Sequence, residues 1–488
     1  MNSLIKLKKV KKMKGFFVSF ITLFAVSVGS SAQSDSWVVN TLVSNLDSLV
    51  KYELPEGSNV GLSIYDLHTN LPLYTYQADK LSRPASTMKL LTAITALNRP
   101  DGDEPFRTKV CYVGTIAGDT LKGDLYVVGG YDPEFDDKAM DALVEKVTRF
   151  PIKVIMGNIY GDVSMKDSLY WGKGWAWDDT PESYQPYLSP LMLNKGVLTI
   201  TAYPQSKGKA AILEYDPLSS YYKIINETVS KTPSASRFSV TRDWLQNGNN
   251  VVVSGNVASK CSKSVNLYCS QNFFMHTFID RLLQKGIDCS EYGFKRLPYD
   301  QDSKLIGVVE TPVQNVINRL MKESDNLNGQ ALLCRLGAQF TGKNQISDED
   351  GLEAIRALIR VLGDDSDRYK LADGCGLSNY NYISPDLLVT FLKHAYSRTD
   401  IFQKLYMALP IGGVDGTLRN RMKLGTLSNR MVHAKTGSFT GINCLAGYLT
   451  ANNGHLIAFA IMNQNVLWPN RAREFQDAVC DEIIKWAE

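Results

Sequence analysis

Hydrophobic and polar positions follow two different periods along this chain, and the change of period divides it into three parts. In the first part, residues 36–50 carry apolar residues at helical spacing. The segments 59–66 and 72–77 then alternate like two strands of a hairpin. An apolar run after residue 87 predicts a buried helix, and Asn98-Arg-Pro-Asp-Gly102 ends it.

The middle part, from about residue 107 to about 300, consists of short strand-like segments separated by turns. The clearest are Gly123-Asp-Leu-Tyr-Val-Val128, Ile152-Lys-Val-Ile-Met156, Gly196-Val-Leu-Thr-Ile-Thr-Ala202 and Asn250-Val-Val-Val-Ser254. This pattern is typical of mostly β modules.

From about residue 312 the helical period returns, and a strand pair and a helix close the chain. Ser347 to Asp350 form a capping box for a helix through Leu362, and Ser384-Pro385 predicts an N-cap followed by a proline at the first helical position. Segments 444–450 and 455–462 predict paired strands, and the closing helix starts at about Arg471.

The first 32 residues read as a secretory signal peptide. Six lysines precede the apolar run 15–28, and small residues follow at 29–32. The run is shorter than the roughly 20 residues of a membrane span. We therefore expect an exported, soluble chain starting near Gln33, in the periplasm or at the cell surface; the alternative is an uncleaved N-terminal anchor.

Composition narrows the function classes further. The net charge of +3 comes from the N-terminal lysines, so nothing indicates a nucleic-acid partner. The five histidines are scattered and neither CxxC nor HExxH occurs, so we expect no metal and no cofactor. Eight cysteines in an exported chain permit disulfides, and Cys261 and Cys269 are the best candidates for a pair.

Three short strings carry the chemistry: Ser86-Thr87-Met88-Lys89, Ser324-Asp325-Asn326 and Lys435-Thr436-Gly437-Ser438. This ordered set of S-x-x-K, S-x-N and K-T-G occurs in β-lactamases and penicillin-binding proteins. Each string alone is weak, because a capped helix, a helix boundary or a turn would explain it. Together in an exported chain they predict acyl transfer through a covalent serine ester.

The first string supplies a nucleophile and its base. Three residues apart on a helix, Ser86 and Lys89 lie on one face, so the amine can reach the hydroxyl. A lysine with a pKa near 10.4 is protonated at neutral pH, so a dry cleft and a neighbouring cation, Lys435, must lower it.

The other two strings supply substrate contacts. Ser324 can relay a proton to the leaving amine, and Asn326 can hold a substrate carbonyl while it bonds Lys89. Lys435, Thr436 and Ser438 can bind a terminal carboxylate on a strand edge. The backbone N–H groups of Ser86 and Ser438 can form an oxyanion hole.

The spacing of the strings also predicts the domain organisation. About 240 residues separate the first two, far more than a connection inside one domain. We therefore predict a discontinuous catalytic domain of residues 33–100 plus 305–488. Residues 101–304 would be a mostly β insertion of two modules, about 101–180 plus 250–304, and about 181–249.

Longer strings extend the likeness. They are 83–93 around Ser86, Gly123-Asp-Leu-Tyr-Val-Val-Gly-Gly-Tyr-Asp-Pro133, Gly174-Trp-Ala-Trp-Asp178, Ser324-Asp-Asn-Leu-Asn328, Asp373-Gly-Cys-Gly-Leu-Ser378 and His433-Ala-Lys-Thr-Gly-Ser438. With them the chain resembles the type-4 low-molecular-mass penicillin-binding proteins, which are D-alanyl-D-alanine carboxypeptidase/endopeptidases. That family usually has serine where Cys375 stands, and it carries a large insertion between its first two motifs.

The resemblance implies an α/β (α+β) fold with a β-lactamase/transpeptidase-like catalytic domain, an antiparallel sheet flanked by helices. It implies that Ser86 is acylated by peptidoglycan stem peptides, with Lys89 as base, and that penicillins and other β-lactams block the same serine. The alternatives are a β-lactamase or esterase on this fold, or a catalytically inert cell-wall-binding protein. Trp171, Trp175 and Trp177 could bind glycan, although core packing explains them more simply. The oligomeric state is left open.

Overall fold

The computed structural model describes residues 31–298 and 303–486 of the 488. The charged and apolar regions of the predicted signal peptide, residues 1–30, lie outside the described residues. No helix among the described residues is both long enough and apolar enough to cross a membrane.

Ten helices lie in the described ranges. They are α1 Ser31–Tyr52, α2 Met88–Leu97, α3 Asp137–Thr148, α4 Ser270–Gln284, α5 Val313–Lys322, α6 Asn326–Thr341, α7 Asp348–Val361, α8 Pro385–Ser397, α9 Thr399–Ala408 and α10 Pro469–Lys485.

The same ranges contain seventeen strands. They are β1 Asn59–Asp66, β2 Leu71–Tyr76, β3 Phe106–Ala117, β4 Thr120–Val128, β5 Val154–Ile155, β6 Ile159–Asp162, β7 Val197–Tyr203, β8 Ile212–Asp216, β9 Lys223–Ser230, β10 Ser239–Arg242, β11 Asn250–Val257, β12 Cys261–Asn266, β13 Tyr292–Phe294, β14 Ser303–Thr311, β15 Val432–Phe439, β16 Gly441–Thr450 and β17 Leu456–Val466.

An antiparallel five-stranded sheet brings the two ends of the chain together. Its strand order is β15-β16-β17-β1-β2, so the N-terminal hairpin pairs directly with the C-terminal strands. On one face β16 and β17 pack against α8, which shares a core with α2, α5, α6 and α7. On the other face they pack against α10, which in turn contacts α1. The predicted mixed fold with an antiparallel sheet between helices is confirmed.

The helix and strand signals in the sequence locate the elements well. The capping box at Ser347 and Asp350 is formed, and the Ser384 hydroxyl accepts the N–H of Leu387. Since these signals act within one turn of the helix they begin, they are readable without tertiary information.

The region between the first two motifs is rich in strands, as predicted, but it also holds α3 and α4. A six-stranded sheet contains β3 to β6, β13 and β14, and two three-stranded sheets have the orders β10-β11-β9 and β12-β7-β8. Asp136 caps α3, and the buried apolar residues of α3 recur at helical spacing. The sequence therefore contained a helix signal, which was missed because the neighbouring segments are strand-like.

The division into a discontinuous catalytic domain and a two-module insertion stays a proposal. The shared five-stranded sheet supports the first part of it. β11 pairs with β9, and β12 pairs with β7. The second module, predicted at about 181–249, would therefore extend to about Asn266.

Two predictions about single side chains are wrong. All eight cysteines are free thiols, so Cys261 and Cys269 form no disulfide. Trp177 is 70% exposed, and its ring lies tilted against that of Trp244 at 5.3 Å between ring centroids, so it is no core residue. Trp175 does pack against the catalytic core.

Candidate active site

Ser86 lies in a short turn that leads into the most buried helix of the catalytic core. The turn Ala85–Thr87 precedes α2, and all ten residues of α2 are buried. The Thr87 hydroxyl donates to the Pro84 carbonyl at 2.7 Å, which closes the turn. Ser86 itself is half-buried, so its hydroxyl stays accessible at the start of a buried helix.

Lys89 sits one helical turn further on, completely buried. Its Nζ lies 2.9 Å from Ser86 Oγ, 2.7 Å from Asn326 Oδ1 and 2.5 Å from the Cys375 carbonyl oxygen. Among the described residues, no carboxylate lies within salt-bridge distance of this amine. Burial lowers the pKa of Lys89, against the opposing fields of Cys375, Asp373 and Asp325.

The second motif forms the turn between α5 and α6. Ser324 has φ of 60°, and Asp325 caps α6 by accepting the N–H of Asn328 at 2.9 Å. Asn326 opens α6, and its Nδ2 donates to the Tyr184 carbonyl at 2.8 Å. The Asn326 side chain therefore joins Lys89 to the inserted region.

The third motif lies on β15, the edge strand of the five-stranded sheet. Lys435 is completely buried, and its Nζ donates to Ser324 Oγ at 2.8 Å and to the Thr436 carbonyl at 2.7 Å. Burial sets the pKa of Lys435 well below its usual range, and the Lys89 charge lowers it further. Burial is thus the largest cause that lowers the pKa of both lysines.

Gly437 allows β15 to lie directly against the serine turn. A Cβ at this position would lie 2.7 Å from the Pro84 carbonyl oxygen and 3.0 Å from the Ser86 nitrogen. The close approach of the third motif to the first thus depends on the missing side chain.

We expect Gly437→Ala to slow acylation of the protein by fluorescent penicillin about 100-fold, because the methyl group must push the serine turn away from β15. The measurement is the second-order rate of adduct formation. Gly293→Ala is a matched control, since its Cβ would meet only ordinary contacts at 3.4 Å from Tyr160. Equal rates in the two variants would contradict this role of Gly437.

The backbone of β15 presents hydrogen-bond donors on its free side. The N–H of Ala434 donates to Pro410 rather than to β16, and Ser438 lies four residues further along the same strand. Because strand N–H groups alternate in direction, the N–H of Ser438 also points away from β16. The Ser438 hydroxyl donates to Asn443 Oδ1 at 2.9 Å, and the Thr436 hydroxyl donates to Thr417 Oγ1 at 2.8 Å.

All the candidate residues therefore meet at one place. Hydrogen bonds link Ser86, Lys89 and Asn326, and a further bond links Ser324 to Lys435. Ser86, Ser324, Thr436 and Ser438 line a common cleft of about 570 Å³. The described residues contain no group of three or more His, Cys, Asp or Glu that could hold a metal ion.

Residues 373–378, which the sequence indicates only through the family resemblance, close the site from behind. The buried carboxylate of Asp373 accepts the N–H groups of Gly376 and Ser378 at 2.7 Å and the indole N–H of Trp175 at 2.9 Å. This loop aims the Cys375 carbonyl at Lys89. Because every residue has a backbone carbonyl, residue types cannot show which carbonyl contacts Lys89. In the sequence, only the Asp-Gly-x-Gly string marks this loop.

Comparison with known proteins identifies the family of this chain. The sequence matches the D-Ala-D-Ala carboxypeptidase 3 (S13) family over residues 42–484. It is 27% identical to a D-alanyl-D-alanine carboxypeptidase of Actinomadura sp. (strain R39), covering 91% of this chain and 84% of that one. It is 26% identical to D-alanyl-D-alanine carboxypeptidase DacB of Haemophilus influenzae, covering 90% and 92%.

The fold is similar to the crystal structure of penicillin binding protein 4 from Haemophilus influenzae, with a TM-score of 0.77, 24% identity and coverage of 89% of this chain and 98% of that one. That protein has also been solved in complex with a β-lactam. The family match covers all three motifs and everything between them. The chain belongs to the D-Ala-D-Ala carboxypeptidase 3 (S13) family.

Proposed function

We propose that this carboxypeptidase-family chain is a penicillin-sensitive serine D-Ala-D-Ala carboxypeptidase/endopeptidase of peptidoglycan, with Ser86 as the nucleophile. Ser86 Oγ attacks the carbonyl carbon of the penultimate D-alanine in a stem peptide. The neutral amine of Lys89 takes the hydroxyl proton as the C–O bond forms. The resulting oxyanion is held by the backbone N–H groups of Ser86 and Ser438.

Collapse of this intermediate breaks the C–N bond and leaves an ester on Ser86. The leaving amine takes the proton that Lys89 accepted, relayed by the Ser324 hydroxyl, which Lys435 Nζ holds at 2.8 Å. Lys89 is then neutral again. Water attacks the ester while Lys89 accepts a water proton and passes it to Ser86 Oγ as the C–O bond breaks, and the shortened peptide leaves. A β-lactam ring would acylate the same serine.

One observation carries the proposal. Lys89 is completely buried and has no carboxylate partner among the described residues. Its Nζ lies 2.9 Å from the accessible hydroxyl of Ser86. An ammonium ion in that position is unfavourable, so the amine is available as a base. In an ordinary capped helix the lysine would point to solvent.

The substrate contacts follow from the edge strand and the cleft. Lys435, Thr436 and Ser438 would bind the terminal carboxylate, and Asn326 would hold a peptide carbonyl. We also propose export to the periplasm or cell surface, where peptidoglycan lies, since residues 1–32 have the layout of a signal peptide.

We expect the purified protein to form a stable adduct with fluorescent penicillin and to release D-alanine or split cross-linked dimers when incubated with muropeptides. Mass spectrometry of the muropeptides measures both reactions, and protein blocked with penicillin serves as the control. Rapid release of hydrolysed penicillin without muropeptide cleavage would make the chain a β-lactamase. Muropeptide binding without bond cleavage would make it a cell-wall-binding protein.

A further inference from the structure

Lys195, in the inserted region, reaches across to the second catalytic motif. Its Nζ lies 2.9 Å from both the Pro133 carbonyl and Glu134 Oε1, which belong to the insertion. It also lies 2.7 Å from Asn328 Oδ1 and 3.1 Å from Asp325 Oδ2, which belong to the motif and α6. An ammonium group has three donors, so these four oxygens saturate it.

Asp325 is the residue between Ser324 and Asn326, and its carboxylate is held at both ends. One oxygen caps α6 at the N–H of Asn328, and the other faces Lys195. The left-handed backbone of Ser324 is unfavourable by itself, so contacts from elsewhere must hold the turn. Lys195 supplies such a contact from outside the catalytic segments.

Asn328 makes the link rigid. It is completely buried, and its Nδ2 donates to Glu134 Oε1 at 2.7 Å and to the Val316 carbonyl at 3.0 Å, while its Oδ1 accepts from Lys195. Arg319 meets the other Glu134 oxygen at 3.2 Å. The insertion and α6 are therefore joined by a closed ring of charge-assisted bonds, which are stronger than neutral ones.

The backbone that carries Lys195 is itself in an unusual conformation. Asn194, Lys195 and Gly196 have φ of 45°, 62° and 65°, and the Asn194 side chain is fixed by a 2.6 Å bond to Asp137. Left-handed non-glycine residues persist where the surroundings over-determine them, and they cluster at functional sites. This segment lines a second cleft, of about 470 Å³, together with Ser324 and Asn326.

We propose that Lys195 is a positioning residue for the reaction, which holds the Ser324-Asp325-Asn326 turn against Lys89 and Lys435. The inference rests on the proposed function, and it gives the insertion a role in catalysis. Asn326 must keep its carbonyl oxygen 2.7 Å from Lys89, and Ser324 must keep its hydroxyl 2.8 Å from Lys435. Both distances depend on the turn that Lys195 clamps.

Lys195 also balances the charge of Asp325, whose field raises the pKa of Lys89. The titratable and charged groups around Lys89 are Asp325, Asp373, Cys375 and Lys435. Without the Lys195 cation, the negative charge of Asp325 would no longer be balanced. The field of Asp325 would then raise the pKa of Lys89 further. Less neutral amine would then exist at a given pH, so the acid limb of the acylation profile would move to higher pH.

The test is the second-order rate of acylation by fluorescent penicillin, measured as a function of pH. We expect Lys195→Met to lower the rate about 10- to 100-fold and to move the acid limb to higher pH. Lys195→Arg keeps the cation and should leave the limb in place. Lys263→Met is the matched control, because Lys263 is also in the insertion and also pairs with a carboxylate, Glu182.

Asp325→Asn is the second variant, and its expected signature has the opposite sign. It removes the negative charge, so the rate should fall while the acid limb moves to lower pH. The position of the acid limb in Asp325→Asn tests the proposal even if Lys195→Met does not fold, that is, if it shows no cooperative thermal unfolding transition. A Lys195→Met rate within twofold of wild type with an unmoved limb, or an unmoved limb in Asp325→Asn, would overturn it. Failure of the wild-type protein to bind penicillin would instead overturn the proposed function.

Discussion

A Ser86→Ala protein is expected to form no covalent adduct with fluorescent penicillin and to release no D-alanine from muropeptides. Without the hydroxyl there is no atom to carry the acyl group, and loss of the nucleophile in a serine hydrolase lowers turnover on the order of 10⁶-fold. The fold should persist, because Lys89 keeps its bonds to Asn326 and Cys375. Gel fluorescence and mass spectrometry of the intact protein measure the adduct.

Ser397→Ala is the control for this experiment. Ser397 is an exposed serine at the end of α8, with its hydroxyl bonded to the His394 carbonyl at 2.7 Å. It should bind penicillin like the wild type. An adduct retained in Ser86→Ala, and mapped to another serine by peptide mass spectrometry, would contradict the assignment of the nucleophile.

The next largest effect is expected for Lys89→Met, which should slow acylation roughly 10³-fold, within the range known for loss of a general base. The methionine fills most of the lysine volume but cannot accept the Ser86 proton. Wild-type acylation should rise with pH, because raising the pH through the lowered pKa of the buried amine pair produces the neutral base. The variant should lose this rise. Stopped-flow acylation rates across pH measure both effects.

Two further variants test whether the effect belongs to the base. Lys89→Arg keeps a cation but cannot lose its proton, so it should be as slow as Lys89→Met. Lys80→Met changes an exposed lysine of the same segment and should leave the rate unchanged. Thermal denaturation checks folding, since Asn326 Oδ1 and the Cys375 carbonyl lose a donor, at about 1–3 kcal/mol for each unsatisfied group. Full activity of Lys89→Arg would exclude Lys89 as the base.

Much of the fold was predictable because its signals are local. The capping box at Ser347, the proline after Ser384 and the continuous apolar runs of β16 and β17 each act within a few residues. The helix α3 was missed although Asp136 caps it, because its neighbours alternate as strands. The free cysteines could not be predicted, since pairing depends on the distance between Cys261 and Cys269 and not on their number.

The sequence by itself determined which groups we propose to react, because serine, lysine and asparagine carry their chemistry in their side chains and their spacing within each motif is local. It also determined that about 240 residues separate Ser86 from Ser324. Only the tertiary structure decided what surrounds these groups: the Cys375 carbonyl on Lys89, the Tyr184 carbonyl on Asn326 and the Lys195 clamp on Asp325. Backbone carbonyls are common to every residue, and contacts between residues more than a hundred positions apart depend on how whole sheets pack, so no local pattern records them.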